Sequence, residues 1–134
     1  PDIILGIDIG TTGCKSSLFD EAGRLLCSAY EEYDPQRPQP GWAELDAVAV
    51  WEKVKATIRH AVAGAPDDPV KAISISSLGE ATVPVSRDRR ILGPSLLNFD
   101  VRGAEFLPEL RAARSDFVAS TRWTRLASSR PENP

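Results

Sequence analysis

Apolar residues alternate with small or polar ones from the start of the chain. Ile3, Leu5, Ile7 and Ile9 fall on one side, and Ile4, Gly6 and Asp8 on the other. That two-residue period predicts a strand over Ile3 to Ile9, because successive side chains of an extended chain point to opposite faces. The side that ends on Asp8 is small and acidic, which suits a strand whose end meets a cleft. Lys15 to Asp20 predicts a second strand, and Arg24 to Tyr33 a third. Between them DEAG, Asp20 to Gly23, predicts a turn in which Gly23 takes a positive φ. The links are too short for crossovers, so the three strands form an antiparallel meander.

The stretch DPQRPQPGW, Asp34 to Trp42, holds three prolines and a glycine and predicts a loop. A helix follows. Asp46 is a suitable N-cap, Leu45 and Val50 are spaced as a hydrophobic staple, and Val50, Val54, Ile58 and Ala61 or Val62 repeat at helical spacing. Trp51 flanks that stripe as a packing residue, and Gly64 and Pro66 end the helix. VKAISISS, from Val70, predicts a short buried strand that the helix returns parallel to a neighbour. Ala81 to Ser86 reads as extended, with Pro84 placing it at an edge or a bulge. RDRR then turns the chain and ILGPSLL continues it. Val101 to Arg114 predicts a second helix with Phe106, Leu110 and Ala113 on one face, which Pro108 either interrupts or truly begins. From Ser115 onward the pattern fades into polar, Arg-rich sequence. The expected class is α/β with a mixed sheet: three antiparallel strands extended by parallel ones, with helices on the faces.

Composition narrows the function more than the fold. A chain of 134 residues that is 42% hydrophobic and 26% charged has the make-up of one globular domain. A net charge of −3 argues against a nucleic-acid partner found by electrostatic steering. The apolar runs fall far below the ~20 residues of a membrane span, and the first apolar residues belong to a strand pattern rather than a signal peptide. No membrane partner and a cytoplasmic setting are therefore expected. Cys14 and Cys27 are too few for a disulfide framework and lack metal-ligand spacing. His60, the one histidine, lies inside the helical pattern and reads as an ordinary helix residue.

The chemistry gathers in LGIDIGTTGCKSSLFD, Leu5 to Asp20. A Gly10-Thr11-Thr12-Gly13 turn can aim successive backbone N–H groups into a concavity that suits phosphate oxygens. Lys15 adds a point charge. Asp8 makes sense beside a phosphate only if a divalent cation, usually water-bridged Mg²⁺, lies between them. The same glycines and threonines would also serve a plain strand-turn-strand, so both readings stay open. A Walker-type loop is excluded, since G-x-x-x-x-G-K-[ST] is missing.

These residues carry a resemblance. GIDIGTTGCKSSLFDEAGRLL resembles the first phosphate motif of the actin-like ATPase superfamily. PGWAELDAVAVW, Pro40 to Trp51, is similar to the Gly-Trp-x-Glu-x-Asp segment of the FGGY carbohydrate kinases, the group containing glycerol kinase and xylulokinase. Ile73 to Gly103 resembles the strand, hairpin and Trp-x-Asp-x-Arg region of the same family. The resemblance implies a ribonuclease H-like domain that moves the γ-phosphate of ATP onto a sugar or polyol hydroxyl. Residues 1–114 would form the N-terminal part of the first domain and 115–134 a poorly assigned tail, with the second domain absent.

Carried over residue by residue, the resemblance makes Asp8 the catalytic candidate and the Mg²⁺ anchor, through water. Gly10, Thr11, Thr12, Gly13 and Lys15 would face the ATP phosphates. Gly79, Glu80, Asn98, Asp100 and Arg102 would face the sugar or polyol. Glu80 matches one branch of the family, while Leu78 and Gly79 match neither of the two patterns weighed. Asn98 stands where the family has tryptophan, with Phe99 beside it as a replacement platform. Asp100 and Arg102 match Asp-x-Arg, either as sugar contacts or as an ion pair bracing their loop. The general-base aspartate and the adenosine site lie beyond this chain, so the fragment alone is expected to be inactive; a homodimer of the parent stays open. The rival reading is a non-catalytic actin-like nucleotide-binding switch or interaction module, and a third is a remnant that keeps only the fold.

Overall fold

A computed structural model describes residues 2–65 and 70–113, without the side chains of 110, 111 and 113. Expectations for Pro66, Arg114, Trp123 and the 115–134 stretch lie outside the described residues, as do those for the side chains of Leu110 and Ala113. Residues up to Asp100 form one compact unit and those from Val101 another.

In the first unit, β1 (Ile3–Ile9), β2 (Gly13–Phe19) and β3 (Leu25–Glu32) make the expected meander. β5 (Val70–Ser77) adds to the other side of β1 in parallel, giving the order β3-β2-β1-β5. β2 starts two residues before its expected limit. The Gly10 N–H donates to the Gly13 carbonyl at 2.8 Å, so pairing runs up to the turn and leaves only Thr11 and Thr12 unpaired at its tip. Gly23 takes the left-handed conformation that the turn between β2 and β3 requires.

Helix α1 (Ala47–Ala63) is capped by Asp46, whose carboxylate accepts from the Val48 and Ala49 N–H groups, and it ends at Gly64. It lies over β2 and β3. Val54 and Ala61 meet Ile3, Leu5, Ile7, Cys14 and Leu18 to form the main core. Ala61, rather than Val62, closes the stripe, since Val62 is exposed. A buried Ser16–Thr57 hydroxyl pair, 2.8 Å apart, bridges sheet and helix, and Thr57 also donates to the Val54 carbonyl. A smaller cluster of Ala43, Leu45 and Leu97 sits beneath β4 (Glu44–Leu45) and β6 (Ser95–Leu96), which pair with each other. Leu45 and Val50 meet there, as a staple should. The Ala81–Leu97 stretch folds back through the bridges Thr82–Leu96 and Val85–Ile91.

Three expectations need correction. β5 is not buried: Ile73 and Ile75 are 62% and 65% exposed. They share rows with Leu5 and Ile7, so they extend the face on which α1 packs, but α1 lies toward the opposite edge of the sheet, over β2 and β3. An apolar alternation reports which residues share a face, not whether anything covers it. Trp51 is likewise not a packing residue; it is 54% exposed, with the Lys55 ammonium 5.9 Å from its ring. In the second unit the helix does not begin at Val101. Gly103 takes a φ of 86°, a short 3₁₀ turn spans Ala104–Phe106, and α2 covers Leu107–Ala113. Pro108 marks the true start, in the first turn where its missing N–H costs nothing.

Candidate functional site

The register of the sheet builds the site. Ser76, Asp8, Lys15 and Tyr30 are matched residues on β5, β1, β2 and β3, and so form one row across the sheet. The row lies on the face opposite α1, because the neighbouring row, Ile75–Ile7–Ser16–Ala29, is the one that meets the core. Asp8 and Lys15 are exposed cross-strand neighbours, close enough for their charges to act on one ligand. Among the described residues, neither side chain makes an ion pair or a hydrogen bond. With Gly6, Ser17, Ser74 and Ser76 they line an open depression of about 260 Å³.

The Gly10–Gly13 turn joins β1 and β2 just beyond the Asp8–Lys15 pair. Its two outer carbonyls are tied back: Gly10 O accepts from the Tyr33 hydroxyl at 2.7 Å, and Thr12 O from the Tyr33 N–H at 3.0 Å. The Thr11 and Thr12 N–H groups have no acceptor among the described residues. The Tyr30 ring end lies over Gly13, and a Cβ there would have to push it aside. Beneath the turn, burial pushes the Cys14 thiol up, which fits a neutral packing group. Burial also pushes the Tyr33 phenol up to about 12.

Among the residues expected to face a sugar, Gly79 and Glu80 sit on a loop tied to the end of β1 by the Leu78 N–H, which donates to Ile9 O at 3.0 Å. Both residues are exposed. Leu78 and Ala81, which bracket them, pack on the Ala43–Leu45–Leu97 cluster. Leu97 precedes Asn98, which is exposed. Asp100 accepts from the Ala43 N–H at 2.7 Å, so one of its oxygens braces the loop. The two loops therefore rest on one foundation. Phe99 carries the Arg37 guanidinium 5.3 Å from its ring, a platform already in use. Arg102 belongs to the second unit.

A nucleotide phosphate fits the residues present. The Thr11 and Thr12 N–H groups lack acceptors among the described residues, a lysine follows the turn, and Asp8 makes no ion pair or hydrogen bond among them. One carboxylate suits an Mg²⁺ that keeps most of its waters and is held through phosphates, and among the described residues no group of three metal-ligating side chains offers a tighter cage. Sequence reading missed Tyr33 and Arg37. For Tyr33 a signal existed, since pairing Gly13 with Glu32 sets the next residue opposite Thr12.

Residues 3–127 match the FGGY family of carbohydrate kinases, N-terminal domain. The glycerol kinase of Leptospira biflexa is 33% identical over 87 residues, covering 65% of this chain and 18% of that one. The glycerol kinase of Haloferax volcanii is 37% identical over 84 residues, covering 61% and 16%. Among solved structures, a xylulose kinase from Rhodospirillum rubrum superposes with a TM-score of 0.78 at 26% identity, covering 83% of this chain and 23% of that one. A xyloylose kinase from Brucella ovis gives 0.77 at 30% identity, covering 84% and 24%. The chain thus spans less than a quarter of the length of each.

Proposed function

The chain belongs to the FGGY family of carbohydrate kinases and shares its actin-like ATPase fold, and on that premise we propose that its parent transfers the γ-phosphoryl group of ATP to a sugar or polyol hydroxyl. One observation carries the reading: a turn whose Thr11 and Thr12 N–H groups lack acceptors among the described residues joins two strands that carry, two residues back, a carboxylate and an ammonium with no ion pair or hydrogen bond among those residues. In phosphoryl transfer there is little covalent work for a protein to do, and catalysis rests on positioning and charge neutralisation. The Thr11 and Thr12 N–H groups and the Lys15 ammonium would hold and neutralise phosphate oxygens. Asp8 would fix a hydrated Mg²⁺ through its waters. When bound, that ion draws negative charge off the phosphates as the bond between the transferred phosphorus and its leaving oxygen breaks and the bond to the sugar oxygen forms. The hydroxyl proton goes to a base supplied from beyond this chain.

Glu80 is the natural acceptor for sugar hydroxyls, because a carboxylate takes two at once. Asn98 offers both donor and acceptor, and Gly79 leaves room for close approach. Asp100 also braces its loop through the Ala43 N–H, and Arg102, in the second unit, is carried over from the family pattern alone. ATP as donor goes with a cytoplasmic setting. Among the described residues no helix is long and apolar enough to cross a membrane.

The test is ATP-dependent ADP release by the intact parent against a panel of polyols, ketoses and sugar acids. One clear substrate is expected. Mg-ATP binding without turnover on any of them would favour the nucleotide-binding switch.

A further inference from the structure

We infer that Tyr33 is a positioning residue for the phosphate turn, setting the direction of its N–H donors from behind. The inference rests on the reading of that turn as a nucleotide phosphate site. The argument starts with the peptide bond. In a trans peptide the carbonyl and the following N–H point in opposite directions across one rigid plane, and the described residues contain no cis bond. Whatever holds the Gly10 carbonyl therefore aims the Thr11 N–H the other way. Whatever holds the Thr12 carbonyl likewise aims the Gly13 N–H. Tyr33 holds both, one with its hydroxyl at 2.7 Å and the other with its own N–H at 3.0 Å.

An ordinary tight hairpin would satisfy the Gly10 carbonyl from within, through the N–H of residue 13, which would turn that donor inward. Here the return bond, Gly10 N–H to Gly13 O, is made, while the Gly10 carbonyl goes to tyrosine instead. The phenol thus replaces an internal bond and releases a donor. Its ring is anchored at both ends of the site, since Tyr33 packs on the main core and on the Ala43–Leu45–Leu97 cluster under the sugar-side loops. A hydroxyl on so fixed a ring has little freedom to leave its carbonyl. Burial keeps it protonated well past neutral pH, so it remains a donor throughout the working range. Tyr30 reaches the Thr12 carbonyl only at 3.5 Å and does not duplicate this role.

Tyr33→Phe in the intact parent keeps the ring and removes the one bond. The expected result is a KM for Mg-ATP, and a calorimetric Kd for Mg-ADP without sugar, about fivefold to tenfold higher. The sugar KM should stay within about twofold, a split that general loosening would not produce. Unchanged Mg-ADP affinity, or equal losses for nucleotide and sugar, would overturn the inference. A wild type that binds Mg-ADP but phosphorylates nothing would overturn the kinase reading alone, because the affinity comparison still stands. A wild type that binds no nucleotide would overturn both. As a second measurement, independent of whether the variant folds, the Thr11 amide resonance of the wild type should move on addition of Mg-ADP. A resonance that stays in place would contradict the aimed donor.

Discussion

Two aspartates at strand ends have opposite surroundings. Asp20 closes the β2–β3 turn: its Oδ1 accepts from the Ala22 and Arg24 N–H groups, and its Oδ2 meets the Arg24 guanidinium at 2.7 Å. Those bonds to Arg24 hold its carboxyl below the usual carboxylate range. The sign follows from linkage. A carboxyl whose folded pKa is depressed adds stability above its unfolded value, about 3.9, and loses it as pH falls from there through the folded pKa. Asp20→Asn should therefore lower the melting temperature at pH 7, and the difference from wild type should shrink between about pH 4 and 2 in a thermal-melt series. Asp8 has no such partners, and its removal should leave the melting temperature in place. Glu80, exposed and without a hydrogen bond or ion pair among the described residues, is a second case: Glu80→Ala should raise the sugar KM by about tenfold or more while leaving that of ATP nearly unchanged, the signature of a lost charge-assisted contact. Equal effects on both would remove it from the sugar side. At this scale the sequence shows Asp8, Lys15 and the glycines, because residue types at short spacing carry the chemistry. It hides Tyr33 and the Arg37–Phe99 stack, because those contacts depend on strand register and loop path.

The elements were legible in proportion to how local their signals are. Alternation alone places β1 and the meander, and a cap, a staple and a 3.6-residue stripe place α1 to the residue at its N-terminus. Asp46 accepts two backbone N–H groups there. Asp46→Ala should cost about 1 kcal/mol in urea denaturation, and a change indistinguishable from zero would show that tertiary packing, not the cap, holds the first turn. The reading failed where the outcome depends on neighbours. The helical crossover set β5 parallel to a neighbour, which is β1, but its isoleucine stripe could not say that Ile73 and Ile75 stay open. Val101 to Arg114 read as helix that Pro108 either interrupts or begins; the left-handed φ at Gly103 delays α2 to Leu107, and Pro108 falls in its first turn. The apolar spacing ahead of the proline was the misleading signal.

Across the first unit, the sheet brings the two proposed binding loops to one end. The phosphate turn follows β1, the sugar-side loop follows β5, and the parallel pairing of those two strands brings their C-terminal ends together. This is the arrangement open α/β sheets use to place ligands beyond the carboxyl ends of their strands. Leu5 and Ile7 continue into Ile73 and Ile75 on the opposite face, an apolar surface in a chain that spans 24% of a solved relative. The central claim is that Asp8 and the turn beside it serve Mg-nucleotide phosphates rather than the fold. The most direct measurement compares turnover and melting temperature for wild type and Asp8→Ala in the intact parent. A fall in kcat of about a thousandfold, the scale of losing an electrostatic group from a transition-state site, with an unchanged melting temperature is the predicted result. Turnover within a few-fold of wild type would contradict it.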